Sequence, residues 1–179
     1  MSGGYFNSET DLSHPVFLPF STNTDGAVAG LFSGYNYQID SVVLGLEADF
    51  YIGFGGKTKL AGLPVPSVLK STEYANWSLR GRLGWARGQF MPYVAGGYTG
   101  MTNKQTFATG YVGNDSETLH GWTIGGGAEY RLTPKWLMRL DYQYQDFGER
   151  TYFKTLIAPT GIKQEVTTNQ ITVGVSYKF

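Results

Sequence analysis

Only two histidines occur in the 179 residues, His14 and His120, and there is no cysteine. Nucleophilic chemistry with an imidazole base is therefore confined to hydroxyls near one of these two positions. Ser116, Glu117 and His120 lie close together and offer a hydroxyl, a carboxylate and an imidazole. Acyl transfer needs the hydroxyl held against the imidazole and the imidazole held by the acid. Nothing in this spacing fixes that geometry, so no catalytic residue is assigned. Two separated histidines without a thiolate make a poor metal site. Asn114-Asp115 lacks the regularly spaced oxygens of a calcium loop. Gly125-Gly126-Gly127 falls inside a strand pattern, where glycine relieves crowding rather than cradling phosphate. No cofactor and no metal follow from these residues, and the chain is read as a non-enzyme.

The chemically active side chains that do recur at a regular interval are charged. Glu47 and Asp49, Arg80 and Arg82, Glu129 and Arg131, Arg139 and Asp141 each stand two residues apart, giving four acids and four bases in all. A spacing of two puts both members of a pair on one face of a β-strand. The intervening positions are apolar, as the two-residue period of a half-buried strand requires. Val42, Leu44, Leu46, Ala48 and Phe50 oppose Gly45, Glu47, Asp49 and Tyr51. Trp77, Leu79, Leu83 and Trp85 oppose Ser78, Arg80 and Arg82. Trp122, Ile124, Ala128 and Tyr130 oppose Thr123, Gly125, Glu129 and Arg131. Trp136, Met138, Leu140, Tyr142 and Tyr144 oppose Arg139, Asp141, Gln143 and Gln145. The carboxyl-terminal Ile171, Val173, Val175, Tyr177 and Phe179 alternate with polar neighbours in the same way. Two further strands, near 26–39 and 91–105, alternate less cleanly.

These strands are joined by connections of alternating length. Short turns fall at Asp40-Ser41, Gly88-Gln89 and Thr133-Pro134-Lys135, and long polar segments near 10–25, 55–71, 107–117 and 148–165. Short turns at one rim and long loops at the other are the pattern of outer-membrane barrels. Seven full strands are predicted from Gly26 onward, and an eighth only as a stub near Gly3–Glu9, a truncated first strand. The length suits a single domain over residues 1–179. The net charge of zero gives nucleic acid nothing to bind. No apolar run approaches the ~20 residues of a spanning helix. The amino-terminal residues show no basic region and apolar core of a signal peptide.

The remaining question is which face of the barrel meets water. In a soluble, lipocalin-like barrel the charges would be outside. In a membrane barrel they must point inward, because each Arg or Lys facing mid-membrane lipid costs roughly 2–4 kcal/mol. If Leu132 and Trp136 face each other across the turn, Glu129 lies opposite Arg139. Aromatic placement favours the membrane. Tyr37, Trp85, Tyr93, Tyr130, Trp136 and Tyr177 lie near the short turns or the carboxyl terminus. Trp77, Trp122 and Tyr144 lie toward the long connections. Two belts at two heights match the two interfaces of a bilayer. Trp77 and Trp85 are eight strand steps apart, which at ~3.3 Å per step and ~45° tilt is roughly 20 Å, close to the ~25 Å apolar band.

Gly81-Arg82-Leu83-Gly84-Trp85, Pro92-Tyr93-Val94-Ala95-Gly96-Gly97, residues 121–130, Asp141-Tyr142-Gln143-Tyr144-Gln145-Asp146-Phe147-Gly148 and the ending 173–179 resemble the small porin-family barrels of Gram-negative bacteria, in the opacity-protein and OmpA-like superfamily. The resemblance spans about residues 26–179. It implies an all-β, eight-stranded antiparallel up-and-down transmembrane barrel in the outer membrane, with both termini periplasmic. It also implies that the terminal Phe179 belongs to the signal read by the outer-membrane assembly machinery. An eight-stranded barrel has room inside for little beyond side chains. The expected role is a structural, surface-interacting barrel whose interior is plugged by its charges and whose partners are membrane lipid, lipopolysaccharide and host or phage surfaces. A narrow, weakly conducting channel for small solutes is the second reading and a soluble ligand-binding barrel the third.

Overall fold

A computed structural model describes residues 1–13, 20–60, 73–104, 116–152 and 162–179. Eight strands follow one another: β1 (Ser2–Ser13), β2 (Phe20–Ile39), β3 (Val42–Leu60), β4 (Glu73–Trp85), β5 (Phe90–Lys104), β6 (Ser116–Arg131), β7 (Trp136–Tyr152) and β8 (Ile162–Tyr177). Each pairs antiparallel with the next, and β8 returns to β1, so the sheet closes into a barrel in strict sequence order.

The short turns lie where the sequence predicts them. Asp40 turns the chain into β3 with φ of 51°, and Gly88 turns β4 into β5 with φ of 63°; Gly and Asp are among the few residues that adopt this left-handed region readily. Between β6 and β7 the Leu132 amide donates to Trp136 O at 3.0 Å. Pro92 is tolerated inside β5 because pairing with β4 has already ended at Gly84↔Tyr93, so its missing amide hydrogen deprives no ladder bond on that side. Register shifts between Asp25 and Ala27 and between Asp146 and Glu149 bend β2 and β7 near their long-connection ends.

Burial is inverted relative to a water-soluble domain. On β4, Arg80 is fully buried, while Leu79 between its neighbours is 55% exposed. The same alternation leaves Leu44, Leu46, Val94, Ile124, Leu140, Ile171 and Val173 on the outside and Glu47, Asp49, Arg82, Glu129, Arg139 and Asp141 within. An apolar surface continuous around the whole barrel greatly exceeds the patch a soluble monomer exposes. Over most of the barrel the backbone groups are paired by neighbouring strands on both sides, the condition for crossing hydrocarbon.

Two expectations are corrected. The first strand runs beyond the stub expected at Gly3–Glu9: Ser2–Ser13 pairs with β2 through eleven residues and with β8 through twelve. Its far half, Asn7-Ser8-Glu9-Thr10-Asp11, lacks apolar alternation, but backbone pairing beyond the lipid requires none. β1 is nevertheless shorter than its neighbour. Pairing stops at Ser2↔Gly30, and Leu31–Ile39 of β2 is paired with β3 alone. The long polar segments are likewise narrower than expected, because β1, β2, β3, β7 and β8 run several residues into them. His14 and Asn114-Asp115 lie outside the described residues.

Candidate functional site

The inward faces of the strands form three layers along the lumen. Nearest the short turns is a charged layer. Arg139 of β7 reaches across to Glu47 of β3, with Nη2 at 2.7 Å from Oε1 and Nη1 on Oε2. Arg80 donates from Nη2 to Glu47 at 2.6 Å and to Asp141 at 3.0 Å. Arg82 bonds Glu129 at 2.8 Å and Glu47 at 3.4 Å. Glu47 thus holds three guanidinium groups. Asp49 is the least compensated acid: its Oδ2 accepts from Ser78 at 2.8 Å and lies 3.2 Å from Arg80 Nε, whereas Oδ1 has no hydrogen-bond partner. Four carboxylates meet three arginines. Such burial gives little net stability over an apolar core of the same shape, but it leaves each group costly to strip of its partners.

Above it lies a neutral layer of amides and hydroxyls. Asn76 and Gln145 exchange bonds of 2.7 and 3.3 Å, Gln145 donates to Gln143 at 3.0 Å, and Gln143 donates to Asp141 at 2.9 Å. The sequence basis is simple: Asp141, Gln143 and Gln145 alternate along one strand and so stack into a ladder. The Gln170 amide has neither atom bonded, and Arg80 Nη1 and Arg82 Nη2 are also unbonded. Toward the long connections the lining turns apolar. Phe6, Val28, Tyr51, Met101, Leu119, Phe147 and Val166 form one buried cluster drawn from seven strands.

Two predicted positions are corrected. Tyr93 is not a belt residue: it is 5% exposed and points into the charged layer. Its hydroxyl donates to Asp141 at 2.5 Å and accepts from Arg139 Nε at 2.7 Å, and the Arg82 guanidinium lies 3.9 Å from its ring centre. Gly127, its partner on β6, makes this possible, since a Cβ there would stand 2.7 Å from the Tyr93 hydroxyl. Tyr93 and Tyr98 are five residues apart and must occupy opposite faces; Tyr98 is the outward one. Arg131 shares the inward parity of Glu129 but stands one rung beyond the enclosed layers, exposed at the rim, with its amide donating to Gln89 O. The pairing Glu129↔Arg139 is as expected in register, yet neither side chain bonds the other; Glu129 reaches past β5 to Arg82 of β4, and Arg139 crosses the lumen to Glu47.

Sequence reasoning missed the apolar inner layer and Asn76, Thr99, Thr168 and Gln170. Extending the strand parity past the charged residues would have found them. The other predicted belt residues, Tyr37, Trp85, Tyr130, Trp136 and Tyr177 at one end and Trp77, Trp122 and Tyr144 at the other, face outward. Trp136 meets Tyr177 at 5.2 Å, Tyr177 meets Phe179 at 5.4 Å, and Trp122 meets Tyr144 at 5.7 Å. His120 is stacked on Tyr98 at 5.8 Å and edged by Trp77 at 6.3 Å, which places its imidazole in the outer aromatic belt.

Comparison with known proteins gives the family. The model of the outer membrane protein beta-barrel domain matches residues 1–179. The chain is 33% identical over 159 residues to the 25 kDa outer-membrane immunogenic protein of Brucella abortus, covering 89% of this chain and 68% of that one. It is 32% identical over 166 residues to the 31 kDa outer-membrane immunogenic protein of Brucella melitensis, covering 86% and 67%. Among solved structures it is similar to Neisserial surface protein A, at 14% identity with a TM-score of 0.47 over 99% of this chain and 96% of that one. With its charges enclosed, its apolar face turned outward and its whole length matched, the chain belongs to the outer membrane protein beta-barrel family.

Proposed function

We propose that this barrel is a non-catalytic, structural and surface-contacting protein of the Gram-negative outer membrane, with a lumen plugged by its own side chains. The observation that carries the reading is the contact of Glu47 with Arg139, which reaches across the lumen from β7 to β3, joined by Arg80 and Arg82 of the adjacent β4. The apolar cluster above it adds a dry constriction that disfavours ion passage. Specific contacts then fall to the long connections, whose partners would be lipopolysaccharide, host or phage surfaces. The naming of the Brucella relatives as immunogenic supports exposure of that side. Phe179, beyond β8 and fully exposed, would serve the assembly machinery.

A second reading, a narrow conducting channel, draws on the unbonded polar atoms of Asp49, Arg80, Arg82 and Gln170, which offer sites for water inside. Planar-bilayer recording separates the two. The plugged barrel gives no regular conductance steps. Steps of uniform size in the unaltered protein, with ion selectivity changed by Glu47→Gln, would establish the channel instead. Unboiled against boiled electrophoresis after refolding into detergent tests the barrel itself.

A further inference from the structure

The neutral net charge hides a strong polarisation along the barrel axis. Arg87 in the β4–β5 turn, Arg131 at the end of β6, Lys135 in the β6–β7 turn and Lys178 beyond β8 all gather, exposed, at the short-turn rim. The one carboxylate side chain at that rim among the described residues is Asp40. Four side-chain cations against one side-chain acid leave three positive side-chain charges there, two once the Phe179 carboxylate beside Lys178 is counted, and the remaining side chains carry three negative ones. None of the four cations has a carboxylate partner among the described ion pairs, which all lie inside the lumen.

We propose that this rim is a binding surface for anionic phospholipid headgroups of the adjoining leaflet, held by Arg87, Arg131, Lys135 and Lys178. The proposal rests on the membrane-barrel reading and adds a lipid class and a location to it. Three observations carry it. First, the height is right. Trp85, Tyr130, Trp136 and Tyr177 lie on the outer face just inside the rim, where amphipathic rings mark the headgroup level. The Lys135 ammonium is 5.7 Å from the Tyr177 ring centre, so its charge is held beside that belt.

Second, the rim is stitched. Ala86 N donates to Ser41 O at 2.7 Å, Arg131 N to Gln89 O at 2.8 Å and Lys178 N to Lys135 O at 2.8 Å. The Tyr130 hydroxyl adds a bond to the Gln89 side chain at 2.8 Å. The backbones that bear the cations are therefore fixed relative to one another before any lipid arrives, which lowers the ordering cost of binding.

Third, the four cations form no ion pair among the described residues and outnumber the acids at the rim. A phosphodiester with net negative charge gains from several of them, whereas a zwitterionic headgroup presents no net charge to the set. Attraction of about 1 kcal/mol per cation near an anionic surface corresponds to about fivefold local enrichment.

The test uses the refolded full chain in vesicles of phosphatidylcholine and phosphatidylglycerol, with bromine-labelled acyl chains on one lipid or the other. Bromine quenches only tryptophans that it touches. In the variant Trp77→Phe/Trp122→Phe, which keeps Trp85 and Trp136, brominated phosphatidylglycerol should quench several-fold more than its mole fraction predicts. In Trp85→Phe/Trp136→Phe, which keeps the opposite belt, quenching should follow the mole fraction. Replacing Arg87, Arg131, Lys135 and Lys178 by Gln should abolish the excess. Should that variant fail to refold, about 1 M salt, where the Debye length falls to about 3 Å, should remove the excess from the variant that keeps Trp85 and Trp136. Equal quenching by the two lipids near Trp85 and Trp136, or an excess that survives both charge removal and salt, overturns the proposal. Quenching by neither lipid would instead refute the membrane barrel.

Discussion

Glu47→Gln and Asp49→Asn make the same formal change, reducing four enclosed carboxylates to three and matching the three enclosed arginines. If the net charge of the lumen governed stability, the two variants would behave alike. The contacts predict otherwise. Glu47 accepts four guanidinium hydrogen bonds, one each from Arg80 and Arg82 and two from Arg139. A Gln amide would direct an N–H at one of those donors. Each arginine keeps another acid: Asp141 for Arg80 and Arg139, Glu129 for Arg82. The cost therefore falls at the lower end of the range for breaking a buried pair, about 3 kcal/mol. Asp49 loses far less. Its Oδ1 bonds nothing, so an amide nitrogen can take that place while the remaining oxygen still accepts from Ser78. Its expected cost is below about 1 kcal/mol. Urea titration of the protein in phospholipid vesicles, followed by tryptophan fluorescence, reads the difference. With a urea slope of about 2 kcal/mol per molar, Glu47→Gln should lower the midpoint by about 1.5 M and Asp49→Asn by less than about 0.5 M. Equal shifts, or a larger one for Asp49→Asn, would refute the contact-based argument.

Two further outcomes follow from the strand faces. Leu79→Arg, on the lipid face between Ser78 and Arg80, should destabilise the vesicle-embedded barrel by about 2–4 kcal/mol in the same titration. A loss within about 0.5 kcal/mol is what an ordinary water-exposed position would give. Tyr93→Phe should cost about 1–3 kcal/mol by stripping Asp141 and Arg139 of a buried hydroxyl, while Tyr98→Phe on the outer face should cost much less; the reverse order would contradict the inward assignment of Tyr93.

Much of the architecture was legible because a period of two leaves little freedom: once Arg80 and Arg82 share a face, Leu79 and Leu83 must share the other. The three short turns were legible from Asp40, Gly88 and the Thr133-Pro134-Lys135 run. Tyr93 was not, because β5 carries a tyrosine on each face and glycines on both, so alternation gives no polarity. Its orientation is decided by the absent side chain of Gly127 on the neighbouring strand, a tertiary fact. Arg131 was misplaced because parity tells direction but not height, and the enclosed lumen ends below it. The ion-pair partners were illegible for a related reason. Register across one ladder predicts Glu129 beside Arg139, but long side chains in a narrow tube choose among all eight walls. The apolar inner layer was missed because Met101, Leu119, Phe147 and Val166 stand where strict alternation calls for polar residues.

The seam between β1 and β8 joins the two extremes of the chain, from Ser2↔Gly174 to Ser13↔Lys163. Every other ladder is a local hairpin or adjoins one, but this one spans 150 to 172 positions. A growing chain can therefore build seven ladders in order and still possess no closed form until its last strand is available. The entropic penalty for so distant a contact is modest, since doubling a loop adds only about 0.6 kcal/mol. The burden is kinetic. Before closure, the sheet has two unpaired borders that neither lipid nor a crowded aqueous compartment tolerates, and the final strand must find its register against the first while both are held apart from other chains. Contact order thus makes closure the step at which this molecule most needs a chaperoned edge, and strands 1 and 8 the place where a single slip would undo the whole ring.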